Sequence, residues 1–96
     1  MDKLEELKQW FRLAKQNVDL AKLAACKMHP MPVELICYNC QQSGEKDLKG
    51  YLFHKDVDFP RTHDLTTLLD ICVDVDPDFS RLIKQCRYLT RYGVMP

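Results

Sequence analysis

One periodicity governs what this chain can fold into. Leu4, Leu7, Phe11, Ala14, Val18, Ala21, Ala25 and Met28 step along it by alternating intervals of three and four. A stripe that keeps its phase over that distance lies on one face of an α-helix, whereas the faces of a strand alternate at every residue. A second row of Trp10, Leu13, Leu20 and Ala24 widens the apolar face. Two rows on one helix suit a bundle better than a two-stranded coiled coil. The pattern therefore predicts a helix over residues 2–28. Lys8, Lys15 and Lys22 recur beside it as a solvated flank whose stems cover apolar edges.

The helix breakers divide the rest. Prolines and glycines cluster at 29–32, 58–62, 74–78 and the end of the chain. A second helix is predicted over 32–54, with Pro32 in its first turn, where a missing N–H costs nothing. Its apolar row is Val33, Cys37, Cys40, Gly44, Leu48 and Tyr51, with Ile36 and Leu52 alongside. Gly44 on that row suggests close approach of another helix backbone, because a mid-helix glycine otherwise costs about 1 kcal/mol. The third helix opens in Phe59-Pro-Arg-Thr-His-Asp-Leu, with Thr62 as N-cap and Asp64 in the first turn, and faces Leu65, Leu68, Leu69 and Cys72 to the core. The fourth opens at Asp76-Pro77-Asp78, carries Phe79, Leu82, Ile83, Cys86 and Leu89 inward, and stops at Gly93. No alternating strand pattern persists anywhere. The expected fold is all-α: a single domain over 1–96, an up-and-down antiparallel bundle of four main helices.

Charge excludes some functions. Lys plus Arg and Asp plus Glu both number 14, so net charge is zero. A protein dedicated to gripping DNA carries a basic excess; a small local phosphate site is still compatible with this balance. No run of 18 apolar residues exists, so no membrane span is expected. The charged N-terminus lacks a signal-peptide core, and five cysteines fit a reducing compartment, so the predicted location is cytoplasmic.

Several groups invite chemistry. Cys37-x-x-Cys40 is half of a zinc knuckle or a redox pair, but Cys72 and Cys86 stand alone and all four lie on core rows. Buried thiols behaving as small hydrophobes is the reading taken, with no metal and no cofactor. Glu45 and Lys49 are spaced for an i,i+4 ion pair, with Gln41 one turn earlier and Gln42 and Lys46 on the neighbouring row. These residues form either an ordinary helix surface or a polar cluster that orders the loop at 55–63. His63, between Thr62 and Asp64, either closes that loop or titrates near neutrality. Arg81, Lys84, Arg87 and Arg91 make one basic flank of the fourth helix, with Tyr88 and Tyr92 beside it. Cations interleaved with aromatics hold phosphates and stack bases, so Lys84, Arg87, Arg91 and Tyr92 are the predicted nucleotide or RNA contacts. No catalytic arrangement is assignable from spacing.

Four pieces together resemble a known family: residues 14–24 (AKQNVDLAKLA), 36–52 (ICYNCQQSGEKDLKGYL), 61–65 (RTHDL) and 86–96 (CRYLTRYGVMP). Their order and spacing are similar to the HEPN-domain family, in its bacterial and archaeal branch encoded beside minimal nucleotidyltransferases. The resemblance implies a helical bundle that forms homodimers and partners a nucleotidyltransferase in toxin–antitoxin-type modules. It implies that Asp19, Gln41, Gln42, Glu45, Lys46, Lys49, His63, Asp64, Arg91 and Tyr92 contribute to a nucleotide or partner surface. Many members are metal-independent ribonucleases whose motif is Arg followed, after four to six residues, by His. No such pair exists within 1–96, so the resemblance implies a binding module rather than a ribonuclease. The rivals are a ribonuclease with an incomplete motif and a purely structural oligomerisation subunit. Relatives continue beyond such a C-terminal segment into another helix, so the resemblance further implies a bundle short of its last helix.

Overall fold

The computed structural model describes residues 2–93. Helix α1 spans Lys3–Lys27, α2 Val33–His54 and α3 Leu65–Val75; a 3-10 segment, Pro77–Leu82, leads into α4, Ile83–Thr90. No strand occurs among the described residues. The end of the last recognised piece, residues 94–96, lies outside them.

Local chemistry explains most boundaries. Asp2 caps α1 by accepting from the Glu5 N–H at 2.8 Å, with Glu5 and Glu6 in the positive first turn and Lys27 in the negative last one. Helix α2 ends in a pair of reversed hydrogen bonds, Val57 N–H to the Leu52 carbonyl and Asp56 N–H to the Phe53 carbonyl. Asp56 takes the left-handed conformation that this closure demands (φ 58°). Pro32 is the N-cap of α2 rather than part of its first turn. Asp64, not Thr62, caps α3: its carboxylate accepts from the Thr66 N–H, while the Thr62 hydroxyl accepts from the Asp64 N–H. The predicted fourth helix divides, because the turn that Asp76 caps around Pro77 closes as 3-10 before the α-helix begins. Its end comes at Thr90, and Gly93 does not adopt a left-handed conformation.

The helices form layers. Among the helices α1 touches α2 alone; α2 also touches α3 and α4, which pack on each other. Lys3 pairs with Asp56 and Asn17 with Asn39, so α1 and α2 run antiparallel. Loop 55–64 doubles back, and α3 starts beside the middle of α2. The core is Leu48, Leu52, Leu65, Leu68, Leu69, Cys72 and Cys86, with Phe79, Leu82, Ile83 and Leu89 packed against it.

This middle position of α2 overturns part of the expected core. A helix sandwiched between two layers buries two faces, so a single stripe does not describe it. Asn39 and Gly50 meet α1, while Gln41, Glu45, Leu48 and Leu52 meet the α3 side. Val33 is exposed, and Cys37 and Cys40 are only half-buried; of the four thiols expected in a dry interior, Cys72 and Cys86 are there. Burial pushes the Cys72 thiol up to about 11. In α1 the buried positions are Ala14 and Ala21 of the first row and Ala24 of the second, whereas Leu4, Phe11, Ala25 and Met28 of the first row and Leu20 of the second are exposed. The close approach expected at Gly44 occurs instead at Gly50, where a Cβ would lie 2.9 Å from Phe11 Cε1 and 3.1 Å from Trp10 Cβ.

Candidate functional site

The middle of α2 carries polar side chains into the interior. Gln41 is fully buried, and its Nε2 donates to the His63 carbonyl at 2.7 Å. Gln42 donates to the Gln41 side-chain oxygen, also at 2.7 Å. One turn on, Glu45 has a side chain only 7% exposed; Lys49 Nζ lies 3.1 Å from one of its oxygens and His63 Nδ1 2.7 Å from the other. Lys49 is itself 11% exposed, yet the His63 side chain is 68% exposed. Of the two readings left open for Gln41, Glu45 and Lys49, an ordinary helix surface does not fit their burial. Gln41 and Glu45 hydrogen-bond to His63 where the loop enters α3, and Lys49 pairs with Glu45. They are buried because loop 55–64 folds back across this flank of α2.

A second polar row lies on the α1 side. Lys46 Nζ donates to Asn17 Oδ1 at 2.7 Å, Asn17 Nδ2 to Asn39 Oδ1 at 3.0 Å, and Asn39 to the Leu35 carbonyl. Burial is the main reason the Lys46 ammonium is held below its ordinary value, with nearby Glu45 opposing the shift. Asp64 shifts the opposite way in stability terms: the Thr66 hydroxyl's hydrogen bond, chiefly, holds its carboxyl below the usual range.

The basic flank divides by location. The Arg91 guanidinium lies over the Tyr88 ring, 4.3 Å from its centre, and 5.3 Å from that of Tyr92; the two rings are 5.8 Å apart. A hydrogen bond to Tyr88 is the largest cause raising the Tyr92 phenol. Arg87 stands apart, at the rim of a hollow of about 340 Å³ between α3 and α4 lined also by Thr66, Leu69, Asp70 and Ile83. Lys84 and Arg81 are exposed, and Arg81 borders a different depression beside Asp76 and Asp78. The four cations thus have different immediate surroundings along one exposed flank.

Thr90 joins the polar cluster to the basic flank. Its hydroxyl accepts from the Leu65 N–H at 3.1 Å and lies 3.4 Å from the Asp64 carboxylate, tying the end of α4 to the start of α3. Gly93 presses on the same place: a Cβ there would sit 3.2 Å from Gln41 Nε2 and 3.3 Å from the His63 carbonyl. Tyr88, Arg91 and Tyr92 thus project from a segment locked against the Gln41–His63 anchor. Sequence reasoning missed Thr90, Asn17 and Asn39. Asn17 had a signal, since it falls between Ala14 and Ala21 on the buried side of α1; Thr90 had none, because its partners are 25 and 26 residues away. The described residues hold no group of three or more His, Cys, Asp or Glu placed to share a metal ion.

A family model described as HEPN domain matches residues 7–96. None of the curated proteins or solved structures compared with the chain matches it.

Proposed function

The chain belongs to the HEPN domain family, and from that premise we propose that it is a nucleotide- or RNA-binding module that works with a nucleotidyltransferase partner. The observation that carries this reading is the Arg91 guanidinium stacked over Tyr88 and Tyr92 at 4.3 and 5.3 Å. A planar cation on two rings offers both things a nucleotide needs. The rings take the flat face of a base, and the guanidinium meets the phosphate with a fork of donors. The platform is rigid at its root because Thr90 and Gly93 are fixed against α3 and α2. Arg87, one turn earlier and exposed, adds a second cation for a phosphate further along the ligand, and Lys84 a third.

The test is direct binding of fluorescent ATP and of a labelled single-stranded oligoribonucleotide. Arg91→Ala together with Arg87→Ala is expected to weaken binding by about tenfold or more and to flatten its salt dependence. Affinity unchanged by the double substitution would leave the purely structural role standing. In the same reading, tagged protein retains a nucleotidyltransferase from its host extract, and the domain works as a cytoplasmic homodimer. No helix among the described residues is long and apolar enough to cross a membrane.

A further inference from the structure

We propose that the hollow between α3 and α4 is a base subsite selective for guanine, with Asp70 as the residue that reads the base. The selectivity rests on the nucleotide or RNA reading above and adds which base the ligand carries. The hollow measures about 340 Å³, near the small end of ligand sites, and is lined by Thr66, Leu69, Asp70, Ile83 and Arg87. That volume suits a single base with its sugar. Leu69 is buried and Ile83 half-buried, so the wall they form is apolar and takes a flat ring face. Asp70 and Arg87 are exposed, and neither forms an ion pair among the described residues, so both are available to a ligand. Ile83, Arg87 and Arg91 follow one another at intervals of four along α4, whose helical conformation extends through Arg91. Arg91 therefore stands one turn, about 6 Å, beyond Arg87 on the same face. A strand with one base on the Tyr88 and Tyr92 rings carries its neighbouring phosphate to Arg87 and its neighbouring base to the hollow.

The polar groups decide which base enters. Thr66 and Asp70 are four apart on α3 and share a face. The Thr66 hydroxyl donates to the Asp64 carboxylate at 2.6 Å, so only its lone pairs are left for a ligand. An ionised Asp70 also only accepts. Two acceptors side by side select a base edge with two adjacent donors. Guanine has such an edge, in its N1–H and its 2-amino group. Adenine sets the bare N1 beside its amino group, cytosine the bare N3, and uracil flanks its single N–H with two carbonyls. Each of these turns a lone pair toward the carboxylate. Single-stranded RNA is read on these edges. A carboxylate on a phosphate-binding flank otherwise weakens the attraction for RNA, and donors from the base are what offset that.

The experiment measures affinity for labelled oligouridylates that carry guanine, inosine or adenine at one central position. Wild-type protein is expected to bind the guanine strand about tenfold more tightly than the adenine strand. Inosine, which keeps N1–H and lacks the amino group, should fall between. Asp70→Asn swaps one acceptor for a donor. It should abolish the guanine preference and favour adenine, whose amino group and bare N1 match an amide. Asp70 is exposed and outside the core, so thermal melting should not change. Taking the ratio of the two affinities removes the general effect of deleting a negative charge. Equal affinity for the guanine and adenine strands, or a guanine preference that survives Asp70→Asn, overturns the proposal and leaves the binding module intact. Absence of binding to every strand removes both.

Discussion

Asp64 shows how one side chain carries several duties. It caps α3 through the Thr66 N–H, accepts from the Thr66 hydroxyl at 2.6 Å, and lies within reach of the Thr90 hydroxyl. Removing a cap of this kind costs about 1 kcal/mol, so Asp64→Ala should lower the urea midpoint at neutral pH. The sign with pH follows from the depressed carboxyl. Its stabilising effect is complete above the ordinary carboxylate range and is lost as pH falls through the lower folded value. The gap between wild type and Asp64→Ala should therefore narrow in strongly acidic buffer. A gap that widened on acidification would reverse the assignment. The residue was legible as part of a helix start, but its place as the cap was not. Thr62 and Asp64 both have the right chemistry, and the choice depends on where loop 55–64 turns.

At the scale of elements, two glycines of α2 separate packing from propensity. A Cβ at Gly50 would meet Phe11 Cε1 at 2.9 Å and Trp10 Cβ at 3.1 Å, whereas one at Gly44 would touch only Leu65 methyls at 3.5 and 3.6 Å. Gly50→Ala forces α1 and α2 apart and should cost about 1–3 kcal/mol. Gly44→Ala removes the flexibility of a mid-helix glycine into ordinary contact and should stabilise by up to about 1 kcal/mol. Thermal melts of the two variants should move in opposite directions. Parallel shifts would mean that the α1–α2 contact is looser than described. The apolar row of α2 predicted the helix well, because periodicity reports on local conformation. It misjudged the tight glycine, because periodicity carries no information on which neighbour approaches from which side.

The whole molecule is lopsided. Helices α2, α3 and α4 share the core, while α1 has α2 as its one helical neighbour, meets loop 55–64 through Trp10–Phe59 and Lys3–Asp56, and leaves Leu20 and Leu23 about half exposed, at 48% and 57%. Apolar exposure on a helix with a single helical neighbour fits the proposed homodimer. Light scattering should give the mass of two chains. Leu20→Glu with Leu23→Glu should return it to one without changing helical circular dichroism, since neither side chain is in the core. A dimer indifferent to both charges must use another face.

The all-α fold, the two long helices and nearly all of the α3 core could be read from residue order, because helical periodicity, proline and capping are properties of neighbours in the chain. The basic flank and the polar residues of α2 could be named in the same way. Their grouping could not. Gln41, Glu45 and Lys49 look like a solvated helix flank until the loop folds over them, and the different neighbours of Arg87 and Arg91 appear only once α3 and the end of α4 are in place. Burial and hydrogen bonding between residues 18 to 26 positions apart depend on how layers stack. That stacking is settled by the sum of contacts over the whole chain rather than by any local run of residues.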